Sequence, residues 1–169
     1  MLEWILFLAL AGGAITSTIL VIAPPTGRNP LYAALMLVVS FFFMAGLYVM
    51  LLAHLMAVLQ VLVYAGAIMV LFMFVIMLLN LSDEELGKDR WTVGKSVGAA
   101  ALGFIAVKVG LILSVSADKF EKSGIYPEFG TTDSVGDLLF RQFLFPFEMT
   151  SILLLIAVIG AVVLAKRTL

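Results

Sequence analysis

The chain reads as an all-α integral membrane protein, a single membrane domain over residues 1–169. Three observations predict this. Of its 169 residues 63% are hydrophobic and only 12% charged, against about 25% charged in ordinary soluble domains. Residues 29–82 contain no Asp, Glu, Lys or Arg at all. Since one membrane helix needs roughly 20 apolar residues, that stretch alone must hold two spans. The same composition excludes a water-soluble enzyme, and the net charge of −1 excludes a nucleic-acid binder, which needs a basic stripe. Zero cysteines and a single histidine leave no disulfide framework, thiolate zinc site or iron–sulfur cluster.

The charges place five helices at about 4–22, 31–52, 55–81, 93–115 and 147–165. The first is no cleavable leader, because acidic Glu3 stands where a signal peptide carries basic residues. Pro24, Pro25, Gly27, Asn29 and Pro30 punctuate the first connection, where proline removes a backbone donor and glycine and asparagine accept tight turns. Residues 52–55 leave room only for an antiparallel hairpin. Residues 82–90 form a solvated charged loop. The long connection, 116–146, contains Ser134 and Asp137 at capping-box spacing ahead of the apolar residues 138–145. It predicts a short interfacial helix near 134–145, with Arg141 and Gln142 facing water and Pro146 ending it; an irregular loop against a partner is the alternative.

The third span is the unusual one. Twenty-seven residues at about 1.5 Å each reach about 40 Å, longer than the hydrocarbon core. Tilt absorbs such an excess, and so does a π-bulge, in which one extra residue enters a turn. At its heart lies Tyr64-Ala65-Gly66-Ala67, a phenol beside three small residues, with Gln60 one turn earlier. The Tyr64 hydroxyl and Gln60 amide suit a short water path. The Met69, Met73, Met77 stripe fits adaptable packing better than a cofactor site, and His54 a plain interfacial position. Ionisable groups within spans are functional candidates, and here only Lys108 and Glu148 qualify, both towards one membrane face. They form a candidate polar pair, direct or through water; alternatively Lys108 snorkels and Glu148 sits in the headgroups near a helix N-terminus. Small residues four apart (Ala9/Gly13, Gly13/Ser17, Ala99/Gly103, Ala106/Gly110 and Ala157, Ala161, Ala165) provide for close helix contacts.

The run Gln60-Val61-Leu62-Val63-Tyr64-Ala65-Gly66-Ala67-Ile68-Met69-Val70-Leu71-Phe72, together with Asn29-Pro30, Ser40-Phe41-Phe42-Phe43, Ala45-Gly46-Leu47-Tyr48 and Phe145-Pro146-Phe147-Glu148, resembles subunit J of NADH-quinone oxidoreductase. That family is the bacterial counterpart of the sixth mitochondrially encoded membrane subunit of respiratory complex I. The likeness spans the chain, although 93–115 matches only in hydrophobicity and adds nothing to Lys108.

The resemblance implies a multi-pass subunit of the bacterial inner membrane, part of a proton-translocating NADH:quinone oxidoreductase but without a catalytic site of its own. NADH, FMN, iron–sulfur clusters and quinone would then belong to the whole complex, none to this chain. It implies neighbours in the H, A and K subunits, the first of which forms the quinone chamber, and in an antiporter-like subunit; these supply the titrating carboxylates. It implies a π-bulge in the third span whose rewinding opens a water path: Tyr64 lining it, Gly66 giving backbone freedom, Met69 and Val70 drying it when closed. The rival reading is a scaffold subunit of a related cation/proton antiporter or membrane-bound hydrogenase, with no gating. A free-standing permease would show internal repeats, and none is visible.

Five spans put Arg28, Lys88, Arg90, Lys95, Lys166 and Arg167 on one side and Lys119, Lys122 and Arg141 on the other. Cytoplasmic loops are rich in such residues, which predicts an outside N-terminus and a cytoplasmic C-terminus. Alkaline phosphatase fused after Leu169 should therefore be inactive in intact cells, and green fluorescent protein at the same point should fluoresce; an active phosphatase refutes the orientation.

Overall fold

A computed structural model describes residues 1–24, 29–79, 93–120 and 130–166, and all its regular elements are helical. They are α1 (Leu2–Ile22), α2 (Pro30–Met50), α3 (His54–Leu79), α4 (Val93–Phe120), α5 (Thr132–Arg141) and α6 (Leu144–Ala165). Four of them (α1, α2, α3 and α6) are long and apolar enough to cross a membrane. The fifth, α4, contributes a shorter apolar stretch, Ser96–Ile112. The five-helix reading of the sequence therefore stands. The 82–90 connection and most of the residues between α4 and α5 lie outside the described part.

Local chemistry explains the helix ends. Asn29 caps α2, its Oδ1 accepting the Leu31 N–H at 3.0 Å, and Pro30 occupies the first helical position, where its missing N–H costs nothing. α4 continues five residues beyond the expected end at 115, because loss of apolarity ends the membrane core but not the helical hydrogen bonding. The interfacial helix differs from expectation at both ends. Thr131, not Ser134, is its N-cap: the Thr131 Oγ1 accepts the Ser134 N–H at 3.3 Å. Asp137 pairs instead with Arg141 one turn on, and Arg141 and Gln142 are exposed. α5 stops at Arg141, and Pro146 does not end it. The proline falls in the first turn of α6, which begins at Leu144; there no intrahelical partner waits for its nitrogen.

α2 is the hub, lying against α1 on one side and the length of α3 on the other. The buried residues of this unit are mostly small: Ala14, Ser17, Ala34, Ser40, Ala45, Ala57 and Ala65, with Met69 the one large exception. Lipid tails are as apolar as leucine, so helices associate by close packing rather than by a hydrophobic drive. The Gly13 pairings do this at α1–α2, where a Cβ built on Gly13 lies 2.5 Å from the Phe43 ring and one on Gly46 lies 2.9 Å from Leu10 Cδ2. Beside them Thr18 Oγ1 and Ser40 Oγ share a hydrogen bond of 3.1 Å between the helices. Thr18 Oγ1 also donates to the Ala14 carbonyl, and Ser17 Oγ to the Gly13 carbonyl. No hydroxyl of this buried cluster lacks a partner. The other small-residue positions meet no neighbour among the described residues: Gly103 and Gly110 face open space, and Ala157 and Ala161 are exposed.

Overfilling a tight contact typically costs about 1–3 kcal/mol. Gly13→Val should lower the thermal stability of the detergent-solubilised protein by an amount in that range, and Phe43→Leu in the same chain should restore part of it. An unchanged melting temperature for the single variant refutes the α1–α2 packing.

Candidate functional site

The third helix changes its winding midway. His54–Leu59 is α-helical, Gln60–Ile68 is π-helical, and Met69–Leu79 is α-helical again. In a π turn an N–H reaches back five residues instead of four; the Gln60 N–H, which opens the segment, still bonds the Met56 carbonyl four residues back, and the Met69 N–H, which closes it, bonds the Tyr64 carbonyl five back. No carboxylate, amine or imidazole lies between Leu55 and Leu79.

This winding has a packing consequence. The face of α3 turned inward runs Ala57, Val61, Ala65, Met69, Met73, with three of the five buried and the other two half-buried. Every step is four residues. An α-helix turns about 100° per residue, so each such step drifts about 40° and the whole stripe would wind about 160° around the axis. The wider turns hold more residues and take up that drift, keeping one face towards α2.

The predicted gating residues distribute over this segment as follows. Gln60 opens it and is half-buried. Tyr64 lies at its centre with its ring 5.8 Å from Phe41 of α2 in an edge-on contact, while about half of the residue stays exposed. Gly66 lies in the segment too, and a Cβ there would stand 3.3 Å from the Val61 carbonyl oxygen, the residue five positions back. Such a contact is tighter than side chains ordinarily make, so glycine suits a turn that brings this carbonyl close. Met69 is the first residue after the segment and is buried; Val70 follows it and is exposed.

Lys108 and Glu148 are not joined by an ion pair. The Lys108 ammonium lies 5.5 Å from the Phe104 ring centroid on its own helix, a cation–π geometry. Glu148 is exposed in the second turn of α6. His54 is exposed at the start of α3. Among the described residues no group of three or more His, Cys, Asp or Glu gathers, and the sequence has no cysteine. The chain thus has no cysteine thiolate to hold an iron–sulfur cluster. Two participants were not legible from sequence: Phe41, which braces Tyr64, and Gly130, whose carbonyl accepts the Leu55 N–H near the start of α3.

Comparison with known proteins agrees with this architecture. Residues 17–164 match the family model for NADH-ubiquinone/plastoquinone oxidoreductase chain 6. NAD(P)H-quinone oxidoreductase chain 6 of Synechocystis is 36% identical over 143 residues, covering 83% of this chain and 71% of the relative. NADH-quinone oxidoreductase subunit 10 of Thermus thermophilus is 36% identical over 166 residues, covering 95% and 85%. NADH-quinone oxidoreductase subunit J of Rickettsia typhi is 29% identical over 144 residues, covering 83% and 70%. A multi-pass helical protein matched along 17–164, with these relatives aligned over most of their length, belongs to the chain 6, or subunit J, family of NADH-quinone oxidoreductase.

Proposed function

We propose that this chain couples quinone reduction to proton translocation in the membrane arm of NADH:quinone oxidoreductase by changing the winding of α3. The observation that carries this reading is the π-helical segment Gln60–Ile68 in a helix that has no acid or base beyond His54 at its end. Such a helix cannot store a proton, but it can decide whether water reaches a group that does.

Rewinding from π to α removes a residue from a turn and swings one flank against the other by about 100°. Met69 would then leave the face turned to α2 and carry Val70 with it. A constriction lined by apolar groups empties of water, and one lined by polar groups fills. In one winding the Tyr64 hydroxyl and the Gln60 amide hold a short chain of water; in the other Met69 and Val70 dry it. The titrating carboxylates, on this reading, belong to neighbouring chains, chiefly the H, A and K subunits, with an antiporter-like subunit on a further side. NADH, FMN, iron–sulfur clusters and quinone act elsewhere in the complex. The chain lies in a bacterial plasma membrane with its N-terminus outside. On this reading Lys108 and Glu148 form a polar pair, direct or through water.

Gly66 is the position to test, because a branched side chain there meets the Val61 carbonyl and disfavours the wide turn. In the complete complex, Gly66→Val should leave assembly and NADH oxidation by an artificial acceptor unchanged while the protons moved per NADH oxidised fall severalfold. A normal ratio would leave this chain a scaffold.

A further inference from the structure

The backbone between α2 and α3 is held in an unusual way. Leu52 has φ 59°, the only non-glycine residue with positive φ among the described residues, and for a bulky residue that conformation is an outlier. Against this turn lies Gly130, itself at φ 76°. A Cβ on Gly130 would stand 2.5 Å from the Leu52 carbonyl oxygen and 2.8 Å from the Ala53 Cα. These are backbone atoms, which cannot swing aside as a side-chain tip can. The Gly130 carbonyl accepts the Leu55 N–H at 3.4 Å, one of the first N–H groups of α3, which lack partners within the helix. The next residue, Thr131, caps α5. One glycine thus joins the strained turn, the start of α3 and the start of the interfacial helix.

We propose that Gly130 is a positioning residue that holds the hairpin end of α3, so that rewinding of Gln60–Ile68 moves the Met69–Leu79 flank. The proposal rests on the gating reading above. A change of one residue per turn rotates the two flanks relative to each other by about 100° and shifts them about 1.5 Å; the flank that moves is the one less firmly held. His54–Leu59 is only six residues long, about 9 Å of helix, so any motion there passes directly into the 51–53 turn. The Leu52 carbonyl and Ala53 Cα would have to move with it, and these are the atoms that Gly130 abuts. Burial does not separate the two flanks, since each has one buried residue, Ala57 and Met69. The backbone contact with Gly130 exists at the hairpin end alone among the described residues, and it directs the motion away from the hairpin.

The test uses the whole complex. Gly130→Ala adds the Cβ that the turn excludes. The complex should assemble on native gels and oxidise NADH with an artificial acceptor at the normal rate, while the protons moved per NADH fall severalfold because the hairpin end yields. An assembled variant with a normal ratio overturns the proposal. Gly66→Val separates the two ideas: a low ratio there with a normal one in Gly130→Ala sinks the clamp alone, and normal ratios in both sink the gating reading with it. Should Gly130→Ala not assemble, amide hydrogen exchange of the unmodified complex decides. Turnover should change exchange within 60–79 and leave 54–59 unaltered; a change at 54–59 as large as that at 60–68 overturns the proposal.

Discussion

Hydrocarbon offers a peptide group no hydrogen-bond partner, so every N–H and C=O inside a membrane span must be paired within the protein. In α3 this is the governing constraint, because between Leu55 and Leu79 there is no charged side chain, and Gln60 and Tyr64 carry the principal polar side-chain groups. A π turn satisfies the constraint differently: each N–H moves its bond from the fourth preceding carbonyl to the fifth, and the ladder stays closed. The two windings therefore differ in the direction their side chains face far more than in how well their backbones are paired. That is the condition for a bistable element, in which a modest bias from a neighbour selects one of two packings.

The helices around α3 divide into a held part and an unpartnered part. Adjacent residues of α2 serve different neighbours: Ser40 is hydrogen-bonded to Thr18 of α1, and Phe41 packs edge-on against Tyr64. Together with the Gly13–Phe43 and Gly46–Leu10 contacts, this joins α1 and α2 closely, and on the proposed reading α3 turns against them. By contrast, no residue of α6 is buried and Leu153, Leu154 and Leu155 are each more than half exposed. In a membrane-arm subunit such surface faces lipid or other chains, and the small residues at 157 and 161 leave room for a close neighbour.

How much of this was legible in the sequence follows from the range of the interactions. The spans were, because hydropathy is a property of each segment alone. Their ends were less so: Thr131 and Ser134 are both good caps, and only the backbone decides which one ends the extended chain. Pro146 reads equally as a stop or as a first-turn residue, and it is the second. The excess length of the third span signalled either tilt or a bulge. A sharper signal lay in Ala57, Val61, Ala65, Met69 and Met73, since steps of four sustained over 16 residues fit a helix of about 3.6 residues per turn poorly. Tyr64 and Gly66 stand out within their own segment. Phe41 and Gly130 do not, because each matters through a partner distant in the chain, and nothing in their neighbours' identities announces it.

The two glycines that matter most are required for different physical reasons, and the difference shows what each controls. Gly66 has no left-handed φ; what a side chain would disturb there is the approach of the carbonyl five residues back. On the proposed reading it governs which winding is accessible. Gly130 has a left-handed backbone, and a side chain there would strike the main chain of another element. On the proposed reading it governs what the winding can push against. A change of twist performs no work unless one end is anchored, just as an anchored end transmits nothing without a change of twist. The wide turn at Gln60–Ile68 and the tight turn at Leu52, with the six helical residues His54–Leu59 between them, are therefore two halves of one requirement.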